Sequence, residues 1–290
     1  KLVTVLNVVE DQLDRFVDPA LVREKLTDVA VASSGSVILN GDDQNLLLLS
    51  EKLRPEQIRW FGFDDSVGEI ELYYADTYLP ALPRPQVASQ VLGLHGRAVR
   101  VNLRGREIEF ELPNRGAHFA LDAMAALETS AELLGEKFDL ELARKTMAEL
   151  PPVFSRGEIA TVRGVPIEFT LIQNPASAQL NIDNLPANLE RVFFAIGRDV
   201  HDPSWLWTVN PARLKHIDVV SGFNAAEAEL WLLNHGITVA KSTDDLAEAF
   251  DYWMSLPEPT HGVRTVVFSA DAMRRLRRML GLTDPEAVVR

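Results

Sequence analysis

The sequence predicts an α/β protein built in two parts, and three observations carry that prediction. Short apolar runs such as Ser36-Val37-Ile38-Leu39-Asn40 alternate with helical stretches, the β-loop-α-β rhythm of a parallel sheet with helices on its faces. Pro151-Pro152 interrupts the pattern, which then begins again. The length of 290 residues accommodates two ordinary domains, and 47% apolar with 24% charged residues is a globular composition. The parts are assigned to residues 1–150 and 151–290.

In the first part, Val3-Thr4-Val5-Leu6-Asn7 reads as a strand. It runs into a loop, Asn7 to Phe16, that holds three acids and an arginine. Val22 to Ala32 reads as a helix ending before Ser33-Ser34-Gly35. Ser36 to Asn40 is a second buried strand closed by Gly41-Asp42-Asp43; Asn45 to Leu53 is a helix and Ile58 to Phe63 a third strand. Residues 64–88, acidic and then punctuated by Pro80, Pro83 and Pro85, read as a surface excursion. Alternation returns in Ala98 to Leu103 and Ile108 to Leu112, and Arg104-Gly105-Arg106 between them predicts an antiparallel hairpin. Helices follow at Ala117 to Leu134, stopped by Gly135, and at Leu140 to Leu150, stopped by the proline pair.

In the second part, Glu158 to Val162 and Pro166 to Leu171 pair across Arg163-Gly164. Asn174-Pro175-Ala176-Ser177 opens a helix towards Asp183. Val192 to Ile196, Ile217 to Val220, Thr238 to Ala240 and Thr265 to Phe268 are further strands. Helices at Ala225 to Leu233, Asp244 to Met254 and Ala270 to Leu280 complete a doubly wound α/β domain.

Ligands and partners of open α/β sheets meet the chain where strands end at their carboxyl edge. The loop after Ile196, Gly197-Arg198-Asp199-Val200-His201-Asp202-Pro203-Ser204-Trp205-Leu206-Trp207, is therefore the first candidate site. Asp199 and Asp202 read equally well as capping or loop acids, and the two tryptophans as core. Gly236 to Ser242 superficially suggests a phosphate loop, but it lacks the second glycine; Ser242 or Thr243 as a helix N-cap explains it better. The run Arg274-Arg275-Leu276-Arg277-Arg278 reads as the solvated face of the last helix.

The net charge of −13 argues against nucleic-acid or membrane-surface binding, which needs a basic face. There is no cysteine, so disulfides, thiolate zinc sites and cysteine nucleophiles are excluded; this suits a cytoplasmic location. No histidine pair has metal-ligand spacing, so no metal site is expected. No apolar run approaches the ~20 residues of a membrane span.

Several blocks, in order along the chain, resemble the MurT-type subunits of lipid II isoglutaminyl synthase, a divergent branch of the Mur ligases. Asn7 to Phe16 is similar to the family's Asn-x-x-x-Asp-Gln-Leu-Asp-Arg-Tyr, and Leu39 to Asp43 to its Leu-Asn-Ala-Asp-Asp. Phe154-Ser155-Arg156-Gly157-Glu158 resembles its Gly-Arg-Gly-Glu, and Leu171-Ile172-Gln173-Asn174-Pro175-Ala176 its Leu-x-Lys-Asn-Pro-Ala. Asp199 to Trp207 resembles its Asp-Gly-Arg-Asp-x-Ser-Trp, and Ser221-Gly222 fits the continuation.

The resemblance implies a truncated Mur ligase central domain, which binds ATP, followed by a MurT-type C-terminal domain. It implies an ATP- and Mg²⁺-dependent ligase of cell-wall biogenesis that amidates the D-glutamate α-carboxyl of the lipid II stem peptide to D-isoglutamine. Ammonia would come from glutamine through a partner GatD-type glutaminase with a Cys–His pair. Asp202, with Asp199 as second choice, would complete that glutaminase's triad, and Arg156 would serve the ligase chemistry. Asn7, Asp11, Asp14, Arg15 and Asn174 would border the nucleotide.

This sequence departs from the family at several points. The family's phosphate loop is expected upstream of Asn7. Phe119 and Asp122 stand where asparagines contact the nucleotide, and Gln173 stands where a lysine does. The family's zinc ribbon is replaced by residues 64–88. A non-catalytic scaffold that docks a glutaminase or another cell-wall enzyme is the alternative.

Overall fold

The computed structural model describes residues 1–11, 18–68, 70–76, 78–152 and 154–282. The chain divides into two compact units, Lys1–Pro151 and Pro152–Arg290. Among the described residues no helix is long and apolar enough to cross a membrane.

The first unit runs β1 (Val3–Val5), α1 (Pro19–Val31), β2 (Val37–Asn40), α2 (Gln44–Ser50), β3 (Ile58–Phe63), β4 (Ser89–His95), β5 (Ala98–Leu103), β6 (Arg106–Glu111), α3 (Ala117–Leu134) and α4 (Leu140–Glu149). The six strands form one sheet in sequence order. β1 to β4 are parallel and β4 to β6 antiparallel. All four residues of β2 are buried, as the apolar run Val37-Ile38-Leu39 requires of a central parallel strand, and the fourth, Asn40, donates to the Tyr74 hydroxyl. The β5–β6 turn places Arg104 and Gly105 at φ 51° and 87°, the paired left-handed conformation of a tight hairpin. One face of the sheet packs Val5, Val37 and Leu39 against Ala30 of α1 and Leu46 and Leu49 of α2. α3 buries Leu121, Met124 and Leu127. Its Glu128 is also buried, and there it accepts from Ser89 Oγ (2.6 Å) and pairs with Arg104.

Several boundaries differ from expectation: β1 ends at Val5 and α2 at Ser50, short of Asn7 and Leu53. α1 begins three residues early, because Asp18 caps Ala20 N and Pro19 is preset for a first helical position. Residues 64–88 are more than a surface excursion. Leu72 and Val87 are buried, Tyr74 forms a bridge with Val9, and Arg84 reaches back to Asp42.

The second unit runs β7 (Arg156–Val162), β8 (Val165–Leu171), α5 (Pro175–Asn184), β9 (Val192–Ala195), β10 (His216–Ser221), α6 (Ala225–Asn234), β11 (Thr238–Thr243), α7 (Leu246–Ser255), β12 (Arg264–Phe268) and α8 (Ala270–Met279). The strand order is β11-β10-β9-β12-β8-β7. All pairs are parallel except the β7–β8 hairpin, whose turn holds Arg163 and Gly164 at φ 53° and 83°. The chain steps outward from β9 to β11 and then returns past β9 to β12, so β9 and β12 flank the point where the winding reverses. One core joins Phe169, Phe193, Val266 and Phe268 of the sheet to Phe250 and Trp253 of α7 and Met273 and Leu276 of α8. Each such fully buried side chain contributes about 1.5–3 kcal/mol.

Two sequence expectations fail here. The cap of α7 is Asp245, which accepts from Ala247 N and Glu248 N; Ser242 and Thr243 lie inside β11. The basic run of α8 is not wholly solvated. Arg277 is 3% exposed, pairs with Glu158 at 2.8 Å and covers the Phe154 ring at 3.9 Å. The α8 apolar face includes position 277, so the guanidinium is buried with its counter-charge and the stem packs as a hydrophobe.

Candidate functional site

The loop after β9 is fixed by hydrogen bonds from both sides. Ile196 N donates to Ser221 O (3.1 Å) and Asn224 N donates to Ile196 O (3.0 Å). Gly197 N donates to Ser269 Oγ (2.8 Å), Ser269 Oγ donates to Asp199 Oδ1 (2.8 Å), and Arg198 N donates to Asp271 Oδ2 (3.1 Å). Asn224 Nδ2 donates to the carbonyls of Gly197 (3.0 Å) and Val200 (2.9 Å). Two glycines make this closeness possible. A Cβ on Gly197 would stand 2.6 Å from Ala272 N, and one on Gly222, at φ 93°, would enter the Ile196 carbonyl.

This scaffold sorts the loop's two acids. Asp199 is turned inward to the Ser269 hydroxyl and is half-buried. Asp202 is exposed and caps the short turn Pro203–Thr208 through Ser204 N (2.9 Å). Hydrogen bonds from the Ser204 hydroxyl and its N–H hold the Asp202 carboxyl below its ordinary range, so it is ionised at neutral pH. The capping role expected of a loop acid is therefore present, and the carboxylate still faces solvent. Trp205 is buried, whereas Trp207 is 39% exposed and donates to Glu227 (2.9 Å).

The other predicted residues of this unit lie apart from that loop. Arg156, exposed at the start of β7, pairs with Thr170 near the end of β8. It shares the carboxyl edge with Asp202 but stands three strand positions from β9, roughly 14 Å at the usual spacing. Asn174 is the N-cap of α5: its side chain accepts from Ser177 N (2.7 Å), and the Ser177 hydroxyl accepts from Asn174 N (3.0 Å). That capping box engages the Asn174 amide oxygen.

The first unit has its own edge cluster, where the family resemblance put Asn7 and Asp11 beside a nucleotide but gave Asp42 and Asp43 no role. Asp43 is fully buried. Its carboxylate accepts from Val8 N (2.6 Å) and Asn45 N (2.8 Å), which ties the exit of β1 to the start of α2. Burial outweighs these bonds and pushes its pKa up to about 6. Asp42 accepts from Phe63 N (2.7 Å) and from Arg84 Nε (2.7 Å); Arg84 also bonds Asp65 and the Phe63 carbonyl. Arg23 donates to Asn45 Oδ1 (2.8 Å). Asn7 is exposed at this edge; Asp11 is exposed and engaged, and Asp14 and Arg15 lie outside the described residues. The signal for this cluster was two aspartates one residue after the short strand Val37-Ile38-Leu39-Asn40. The described residues hold no group of three or more acids or histidines arranged for a metal ion.

No family model matches the sequence, and no curated protein matches it. Solved structures do. A pseudomurein peptide ligase type C from Methanothermus fervidus superposes with TM-score 0.70 at 13% identity, over 96% of this chain and 62% of that one. MurF from Acinetobacter baumannii gives 0.67 at 15% identity, over 96% and 59%. A folylpolyglutamate synthase from Mycobacterium tuberculosis, complexed with ADP and AMPPCP, gives 0.62 at 16% identity, over 98% and 64%. The chain thus has a Mur ligase-like fold and spans about three fifths of the length of these structures.

Proposed function

We propose that this chain is the ligase-type subunit of a glutamine-dependent amidating enzyme of cell-wall synthesis, working with a GatD-type glutaminase on the D-glutamate α-carboxyl of lipid II. The observation that carries this reading is Asp202, an ionised, solvent-facing carboxylate on a loop anchored to β10 and β12. A carboxylate so placed can accept the N–H of a partner's imidazole, fix its tautomer and stabilise its cation. Asp199, held by Ser269, serves as a positioning residue for the loop.

The likeness to the named ligases and the sequence blocks support ATP and Mg²⁺ as cosubstrate and ion. Of the cations described at the first unit's edge, two are already engaged by the protein. Arg84 is engaged by Asp42, Asp65 and the Phe63 carbonyl, and Arg23 by Asn45. The same observation favours the second reading, a scaffold that docks a glutaminase without ligating.

Asp202→Asn tests the proposal. It keeps the side chain's shape and removes the charge, so glutamine-dependent amidation by the complex is expected to fall on the order of 10⁴-fold. Amidation with added ammonia should stay near wild type, and Asp199→Asn should be much milder. Equal loss with both nitrogen sources would move Asp202 to the ligase chemistry or the fold. A complex that amidates with neither source, even before substitution, would favour the scaffold.

A further inference from the structure

Four hydrogen bonds close a ring at the exit of β1. Val8 N donates to the Asp43 carboxylate (2.6 Å), and Asn45 N donates to the same group (2.8 Å). Asn45 Nδ2 donates to Ala75 O (3.0 Å), and Ala75 N donates to Val8 O (3.0 Å). Both backbone polar groups of Val8 are therefore taken, one by the loop after β2 and one by the segment around Ala75. Beside the ring, Val9 bridges Tyr74, and Asn40 Nδ2 donates to the Tyr74 hydroxyl (2.7 Å). Burial pushes the Tyr74 pKa upward, so the phenol stays neutral and accepts from the amide. Buried Leu72 anchors the start of the segment.

The ring is assembled at local cost. Asp43 is fully desolvated, and Tyr73 holds φ at 55°, a left-handed conformation that a bulky residue keeps only where its surroundings impose it. Simple closure of a strand end needs neither, since apolar packing achieves it without a buried acid. Such costs gather where a backbone has to be held in one place for function. What the ring holds is the start of the loop that carries Asn7 and Asp11, both exposed. Asn7 directly precedes Val8, and Asp11 follows Val9 by two positions. Hydrogen bonds in a network polarise one another, so loosening one link loosens the rest.

We propose that residues 72–75 are a strap that sets the position of Asn7 and Asp11, with Asn40, Asn45 and Tyr74 as the positioning residues that hold the strap on the β1 exit. This rests on the reading of the first unit's edge as a nucleotide edge.

The test is amide hydrogen exchange of the full chain, followed by mass spectrometry, beside calorimetric titration with ATP and Mg²⁺. Tyr74→Phe removes the acceptor of the Asn40 amide; Tyr78→Phe, at a ring 98% exposed, is the control and should match wild type. In Tyr74→Phe, exchange should quicken about tenfold in peptides covering residues 6–11 and 70–76, the effect of leaving one buried polar group unpaired. Peptides of β3 and α3 should keep wild-type protection. The Kd for ATP should rise by a similar factor, because two bordering residues lose their fixed position. Asn45→Ala, which cuts the ring itself, should act in the same direction and more strongly. Faster exchange spread over the whole unit would make the strap a general fastening and overturn the proposal. Local quickening with unchanged ATP affinity would also overturn it and leave the nucleotide reading standing. If wild type bound no ATP, the nucleotide reading would fall, and the positioning role with it.

Discussion

Two loops in this chain leave the carboxyl edge of a parallel strand carrying a pair of aspartates, and their surroundings drive those acids in opposite directions. After β2, Asp43 is sealed from water and its pKa rises to about 6 although two backbone N–H groups donate to it. After β9, Asp202 takes similar donors from Ser204 in full solvent, and its pKa falls. Hydrogen bonds lower a carboxyl pKa in both places; desolvation decides the sign where burial is complete. The first edge uses its acids to hold the fold together, and the second leaves one charged and accessible. At the second edge the loop keeps Asp202 wet, so its charge remains available to a partner.

The comparison can be broken most directly at the second edge, where Gly222→Ala should cost about 3 kcal/mol, because a Cβ is forced against the Ile196 carbonyl in a left-handed conformation. Denaturant melting of the variant reads this. A loss below about 1 kcal/mol would mean that the loop yields and is not held as the hydrogen bonds imply.

The next largest effect belongs to Asp43. Its folded pKa lies above the unfolded value of 3.8, so the folded state binds the extra proton between pH 3.8 and about 6. Its contribution to stability is complete below pH 3.8 and is lost as pH rises through about 6. Asp43→Asn cannot titrate. Wild type should therefore lose stability relative to this variant between pH 4 and 7, by up to about 3 kcal/mol at 1.36 kcal/mol per pKa unit. A stability difference that stays flat across that range would erase the contrast between the two edges.

The smallest effect sharpens the contrast. Arg84→Ala removes a partly exposed partner of Asp42 and should cost about 1 kcal/mol, as ion pairs at partly wet sites do. Melting in raised salt should shrink the difference between wild type and variant. A loss several times larger would make the Arg84 contacts a principal fastening of residues 64–88.

Much of the fold was legible because it is written in local signals. Arg104-Gly105 and Arg163-Gly164 supply the positive φ values of two hairpins, and both hairpins form there. β3 and α3 lie where periodicity put them, since each is a strong pattern with a clear stop. The loop after β9 was legible as a candidate site from its place at a strand end. Its internal sorting was not: nothing near Asp199 in the sequence announces Ser269, and nothing near Asp202 distinguishes it from Asp43.

Taken alone, the sequence determined the two-part α/β architecture, most strand and turn positions, and the loop that presents Asp202. These follow from backbone preferences and apolar patterning over a few residues. Tertiary structure decided which acids stay charged and that Arg277 is buried against Glu158. Those outcomes depend on desolvation and on partners distant along the chain: Val8 and Asp43 are 35 positions apart, Asp199 and Ser269 are 70 apart, and Glu158 and Arg277 are 119 apart. A carboxyl or guanidinium group carries the same formula wherever it lies; its charge and its availability are set by the water and the dipoles that folding removes or brings.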